Sequence, residues 1–288
     1  MSIYKHPEAK AIQLQLYDQK LKECNINYEE IYVDTFAGKT HILITGQNDK
    51  PPIIVLHEIH AGAPLALEAI KGLRNRFRIY AIDTIGQATK SDENQLSVKG
   101  NDYAKWLAET MEKLHIKSAP IIGVSYGAFI LQNMMVYFPS FIAKALFVVP
   151  AGFAKGEFIT SMKKLTLPLV QFLLFKKDSR LLQFMEAFYT TTDDYSVAFQ
   201  RNILLGIKMD FNQPPILRQE QVQNFSQAVY IMVAEDDVFF PGKLSVEKCQ
   251  SIFSNFKDFH ILKNNKHIPD PKTYPEIEKK LQEWLDEK

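Results

Sequence analysis

The sequence predicts an α/β protein, a mostly parallel sheet with helices on both faces, interrupted by a helical insertion. Three observations carry this. From residue 51 onward, short apolar runs alternate with longer helical segments. The alternation stops after Pro150, gives way to helical patterning alone over 152–221, and resumes with the strand-like run 229–233. The chain of 288 residues, with 46% hydrophobic and 23% charged residues, suits one large globular domain with a smaller insertion.

The elements follow in order. Residues 7–24 read as a helix, with Pro7 in the first turn and Ile12, Leu16 and Leu21 on one stripe. Strand-like segments at 31–35 and 41–45 flank an Ala37-Gly38 turn. Lys50-Pro51-Pro52 punctuates, and the unbroken apolar run 53–56 suits a strand covered on both faces. A helix is expected over 64–75, a strand over 79–82, a loop at Gly86 and a helix over 102–114. Ile121-Ile122 opens a strand, and a helix over 126–137 stops at Phe138-Pro139. A strand follows over 145–149. After the insertion come the strand 229–233, a helix, a strand over 259–262 and a terminal helix over 271–286. The implied division is a core of residues 1–152 and 222–288 and a helical cap of residues 153–221.

Composition narrows the function. A net charge of +1 gives no electrostatic case for nucleic acid. Cys24 and Cys249 are too few for a disulfide framework or a four-cysteine zinc site. The N-terminal segment lacks a secretory pattern, and no run of about 20 apolar residues suggests a spanning helix. The expected location is the cytoplasm. His57, Glu58 and His60 follow H-E-x-H spacing after a strand, which is not the helical H-E-x-x-H of zinc hydrolases, so no metal is expected.

Gly123-Val124-Ser125-Tyr126-Gly127 fits G-x-S-x-G between a buried strand and a helix, the context in which that motif makes a nucleophile elbow. The sharp turn strains the serine backbone and needs small neighbours, which Gly123, Gly127 and Ala128 supply. The Tyr126 N–H, at the positive end of the next helix, is a natural oxyanion donor. An activated serine needs a base and an orienting acid, here in the chain order Ser, acid, His. Only His260 and His267 lie downstream. His260 sits within a strand, whereas His267 sits in the polar loop 263–269 past a strand end, so His267 is favoured. The acid belongs after the strand 229–233, where Glu235, Asp236 and Asp237 stand in a row. Asp237 ranks first and Asp236 second, but any carboxylate can orient an imidazole.

With these motifs in place, nearly the whole chain resembles the α/β-hydrolase superfamily, most closely its bacterial esterase-like serine hydrolases with a helical cap. His57 closes the run 53–56 like the family's H-G loop. Asp83-Thr84-Ile85-Gly86 with Ser91-Asp92 is similar to its D-x-x-G-x-G-x-S loop. The segment 234–241 resembles its acid loop, which implies Asp237 as the acid, and His267 with Pro269 resembles its histidine segment. Alignment to the H-G loop implies the Ile59 N–H as second oxyanion donor. The chain departs from the pattern at Glu58, where the family has glycine, and in the loop 86–89, which lacks the second glycine. Glu58 bears on the oxyanion loop's backbone angles, on the developing oxyanion, and on preference for a cationic substrate.

In the resembling family the insertion caps the active site. Its leucines and phenylalanines can pack within the cap and against the core, or line an apolar substrate pocket with His57, Glu58, Phe158, Phe172 and Phe175 among its substrate-binding residues, and Leu165 beside them. Lys163, Lys164, Lys176 and Lys177 flank the apolar run 165–175, as in an interfacial helix, but Pro168 is expected to break it, so membrane association is not expected. The resulting expectation is a cofactor-free carboxylesterase, monomeric or homodimeric, acting on a small to medium apolar ester through an acyl-enzyme. The rivals are C–C hydrolysis, a lyase or cofactor-free oxygen chemistry on the same scaffold, and a non-catalytic binding protein. Epoxide and haloalkane hydrolysis are disfavoured, because those relatives carry aspartate at the nucleophile.

Overall fold

The computed structural model describes residues 2–157, 160, 162–208, 212 and 214–287. Among them, one sheet contains β1 (Glu29–Thr35), β2 (Gly38–Thr45), β3 (Pro52–Leu56), β4 (Arg78–Ile82), β5 (Ala119–Val124), β6 (Ile142–Val148), β7 (Ala228–Ala234) and β8 (Phe256–Leu262). Their spatial order is β1-β2-β4-β3-β5-β6-β7-β8. The β1–β2 and β2–β4 pairings are antiparallel and all others parallel. The helices are α1 (Pro7–Cys24), α2 (Ala63–Glu68), α3 (Asp102–Lys113), α4 (Tyr126–Tyr137), α5 (Leu167–Phe175), α6 (Asp178–Met185), α7 (Asp194–Gly206), α8 (Gly242–Ile252) and α9 (Tyr274–Asp286).

The unbroken apolar run of β3 is explained by its two covered faces. Ile54 and Leu56 pack into the layer formed by α3, α4 and α8. Ile53 and Val55 pack into the opposite layer, formed by α1, α2 and α9. Period-two alternation therefore leaves no strand position for polar residues. Fully buried Trp106 of α3 donates its indole N–H to Thr40 Oγ1 of β2 at 2.7 Å, so the bulkiest core residue carries no unpaired donor. The helix expected over 64–75 is shorter. It ends at Glu68, and a 3₁₀ turn, Lys71–Asn75, follows. The cause is α9: Glu278 accepts the Gly72 N–H at 2.6 Å, and its carboxylate lies where any Cβ at residue 72 would sit.

The cap begins with a π-helical turn, Met162–Thr166, and continues through α5 to α7. Leu165, Phe172, Leu181, Phe184, Met185, Phe188, Tyr189 and Leu204 form its own core. This corrects the expectation that Phe172 and Phe175 line a substrate pocket. Phe172 is fully buried inside the cap, with Arg201 over its ring, and Phe175 is 64% exposed. Leu165 belongs to the same packed cluster, and Phe158 lies outside the described residues. Nor does Pro168 break the run: it sits in the first turn of α5, where its missing N–H costs nothing.

The cap is tied down at both ends. Asn202 of α7 donates to Ala9 O at 3.1 Å and Gln13 Oε1 at 2.9 Å, both on α1. Gly206 approaches Ala9 so closely that a Cβ would lie 2.5 Å from the alanine methyl. Phe153 and Leu217, which the sequence division places in the cap, pack in the main core, and the Leu217 N–H bonds to Gly152 O. The chain thus enters and leaves the cap a few residues inside the boundaries 153 and 221. No described helix is long and apolar enough to cross a membrane.

Opposite outcomes are expected at two phenylalanines of one helix. Phe172→Ala should cost about 3–5 kcal/mol in guanidinium unfolding, the usual range for emptying a buried aromatic site. Phe175→Ala should stay within about 0.5 kcal/mol, as for surface positions.

Candidate active site

β5 delivers the chain to Ser125, and α4 begins at the next residue. Ser125 has φ 49° and ψ −107°, a conformation costing about 1–3 kcal/mol for a non-glycine residue. Two close approaches enforce it. A Cβ on Gly127 would lie 2.3 Å from Leu56 O, and one on Gly123 would lie 2.8 Å from Gly127 O and Ala128 Cα. The glycines thus let α4 start directly against β3, which lifts the serine above the sheet edge. The Ser125 N–H is held by Val148 O at 2.9 Å.

Ser125 Oγ lies 3.0 Å from His267 Nε2, and His267 Nδ1 lies 2.7 Å from Asp237 Oδ2. All three residues are buried. The partners assign the tautomer: Nδ1–H donates to the carboxylate, and Nε2 is left to accept from the serine hydroxyl. Asp237 Oδ1 accepts the N–H groups of Phe239 and Phe240 at 2.8 and 2.9 Å, so the carboxylate cannot swing away. The geometry selects among the three acidic residues. Glu235 faces outward to Lys263 and the Asn264 N–H, and Asp236 is exposed. His260 pairs with Glu276 on the surface, away from Ser125.

Burial pushes His267 toward the neutral form. The charge and hydrogen bond of Asp237, with the nearby charge of Glu58, outweigh it and leave the imidazole above its ordinary value. The cap fixes the loop that carries this histidine. Thr190 Oγ1 accepts the Lys266 N–H and donates to Ile268 O, both at 2.9 Å. The Ile268 N–H bonds to Phe188 O and the Thr190 N–H to Ile268 O, making a short parallel bridge between cap and histidine loop.

The loop after β3 is braced from beneath. His57 accepts the Thr84 N–H on Nε2 at 2.9 Å and donates from Nδ1 to Glu58 O at 2.6 Å. It is wholly buried, and desolvation lowers its pKa, so it is a neutral internal strut. This corrects the expectation that His57 contacts substrate. The His60 N–H bonds to Gln87 Oε1, the Ala88 N–H to His60 Nδ1, and the Ala63 N–H to buried Asp83. Glu58 needs no special backbone. The loop's left-handed residues are His60 (φ 59°) and Gly62 (φ 81°), so replacing the family's glycine by glutamate leaves the turn feasible. Ile59 turns its side chain outward, 49% exposed, and among the described residues its N–H meets no protein acceptor. The Tyr126 N–H opens α4 beside Ser125.

A cavity of about 430 Å³ adjoins the triad, with His267 and Glu58 in its wall. Its apolar floor includes Ile122, Val124 and Val148 of the sheet and Ile277 of α9. Burial raises the Glu58 carboxyl above its ordinary range, and the charge of His267 partly offsets this. Sequence reasoning missed this cavity and the Thr190 tie. The signal available for the tie was the polar run 190–194 between two apolar helical segments. None marked the cavity, because its walls come from segments far apart in the chain.

A serine–histidine–carboxylate array, set on an elbow at the carboxyl edge of a parallel sheet, defines a hydrolase-type site. Comparison with known proteins agrees. A family model described as the alpha/beta hydrolase fold matches residues 51–269, and the chain belongs to that family. Carboxylesterase YbfK of Bacillus subtilis is 25% identical over 268 residues, covering 88% of this chain and 86% of its own length. A second Bacillus subtilis protein, described as uncharacterized carboxylesterase nap, is 29% identical over 137 residues, covering 48% of this chain and 46% of its own. The crystal structure of naproxen esterase from Bacillus subtilis superimposes with a TM-score of 0.84 at 19% identity, covering 98% of this chain and all of that one.

The Thr190 tie yields an expectation. Thr190→Val leaves the Lys266 N–H without its acceptor and loosens the histidine loop. Ester turnover should fall about tenfold, the cost expected of two lost part-buried hydrogen bonds at a positioning residue, with a circular dichroism spectrum unchanged from wild type.

Proposed function

We propose that this protein is a carboxylesterase that works through an acyl-enzyme on Ser125. The observation that carries the proposal is the unbroken hydrogen-bond chain from Ser125 through His267 to Asp237. The Bacillus carboxylesterases noted above support the choice of a carboxylic ester. In this reading His267 takes the serine proton as Oγ attacks the carbonyl carbon, and Asp237 stabilises the imidazolium that forms. The N–H groups of Tyr126 and Ile59 receive the oxyanion. His267 returns the proton to the departing alcohol, then activates water to release the acid. No cofactor takes part in these steps. The site is proposed to accept small to medium apolar esters through the apolar floor of the cavity.

Two measurements test this. Ser125→Ala should lower p-nitrophenyl butyrate hydrolysis roughly 10⁴-fold or more, the usual cost of losing a triad nucleophile. Unchanged turnover would overturn the proposal. The pH dependence has a definite sign. The base must be neutral, and Asp237 and Glu58 hold His267 above its ordinary value, so protonation persists to higher pH. The kcat/KM should therefore fall as pH drops through a value above the ordinary imidazole pKa of about 6.5. Removing the Glu58 charge should shift that limb to lower pH.

A further inference from the structure

The cavity beside His267 has an unusual wall. Its charged side chains are Glu58, Glu68, Asp193 and Asp270 against Lys20 and Lys272. Most of these charges are already engaged. Lys20 Nζ binds Glu68 at 3.0 Å and Glu23 at 3.1 Å. Asp193 caps α7 through the Ser196 N–H, and Asp270 accepts the Lys272 N–H. Glu58 differs: it is half-buried at the cavity wall, and among the described residues its carboxylate has no hydrogen-bond or ion-pair partner. An unpaired carboxylate on the wall of a largely apolar cavity is incompletely solvated, and a cation or a proton relieves it.

The rest of the wall suits a cation. Tyr189 and Tyr274 line the cavity within electrostatic range of Glu58. At the other end the protein supplies its own precedent, because Lys20 Nζ sits 4.3 Å above the Tyr195 ring while bound to Glu68. Two carboxylates, Glu68 and Glu23, and one aromatic face there hold one ammonium. Glu58 with Tyr189 and Tyr274 offers the same kinds of group, one carboxylate and two aromatic rings, without an internal ammonium. The apolar floor would accept the methyl groups of an alkylated amine, which a bare metal ion would leave unused.

We infer that this cavity receives an alkylammonium group of the substrate, with Glu58 as its counter-charge, so that the preferred esters carry a cationic nitrogen a few bonds from the scissile carbonyl. The inference rests on the ester-hydrolase reading and deepens it. Binding the cation also holds Glu58 in its ionised form, next to the imidazolium that develops on His267 during acylation. Glu58 is thus a specificity residue that binds the distal group and takes no proton from the reacting atoms.

Two isosteric pairs test it on the full chain. One is butyrylthiocholine against 3,3-dimethylbutyl thiobutyrate, with the charge on the leaving group. The other is the p-nitrophenyl ester of 4-(trimethylammonio)butyrate against that of 5,5-dimethylhexanoate, with the charge on the acyl group. Within at least one pair the cationic ester should show a kcat/KM about tenfold higher than its neutral partner, in line with a cation–π and carboxylate contact out of water. In Glu58→Gln that ratio should fall to about one. Reading the ratio within each protein removes any general loss of activity. Tetramethylammonium should inhibit neutral-ester hydrolysis competitively in the wild type, whereas sodium at equal ionic strength should not, so the inference is tested even if the variant fails to fold. Neutral esters preferred in both pairs, or a cationic preference that survives Glu58→Gln, would overturn the inference and leave the esterase reading intact. Turnover of p-nitrophenyl butyrate with none of the four esters accepted would overturn the inference alone, and no turnover of any of the five would overturn the esterase reading with it.

Discussion

The structure depends on one strained residue. Ser125 occupies a left-handed conformation that its side chain disfavours, and it stays there because β5, α4 and β3 meet too tightly to permit another path. The cost of about 1–3 kcal/mol is met by the surrounding core. That core is well suited to the task. β3 is buried on both faces, and α4 is buried along most of its length, so neither side of the elbow can relax without opening packed apolar surface. The strain puts the serine hydroxyl at the sheet's carboxyl edge, where loops from elsewhere in the chain can reach it.

Those loops are held by separate devices. The acid is fixed by two backbone N–H groups of its own loop. The histidine is fixed partly by the cap, through Thr190 and the Tyr189–Ile268 bridge, so the cap positions the base as well as covering the site. The loop after β3 is braced from beneath by His57, His60 and Asp83. The cap in turn is clamped to α1 through Asn202 and Gly206. The first helix of the chain therefore contributes to the site indirectly through this clamp and directly through Lys20 in the cavity wall.

Much of this was legible in the sequence, for identifiable reasons. The elbow has a local motif whose glycines are demanded by sterics, and the alternation of strands and helices is a local periodicity. Ser125 and His267 follow from these and from chain order, whereas Asp237 is separated from Glu235 and Asp236 only by resemblance to the family's acid loop. What could not be read depends on distant packing. Phe172 and Phe175 look equivalent in an apolar run, and only the fold of the cap decides that one is buried and the other exposed. His57 looks like a candidate ligand, but its partners, Thr84 N–H and Glu58 O, make it a strut. The helix after β3 ends early because Glu278, about two hundred residues away, competes for a backbone N–H. Glu58 was recognisable as a departure from the family pattern, yet its place in a cavity wall needed the tertiary structure.

The central claim is that the environment of Ser125 activates it as a nucleophile. Covalent labelling with a fluorophosphonate probe, followed by peptide mass analysis, tests this directly, because only an activated serine reacts at a useful rate. The account predicts one equivalent of probe per chain, attached to Ser125, with labelling lost in Ser125→Ala and slowed in His267→Ala. Failure of the wild type to label, or label retained in Ser125→Ala, would contradict it.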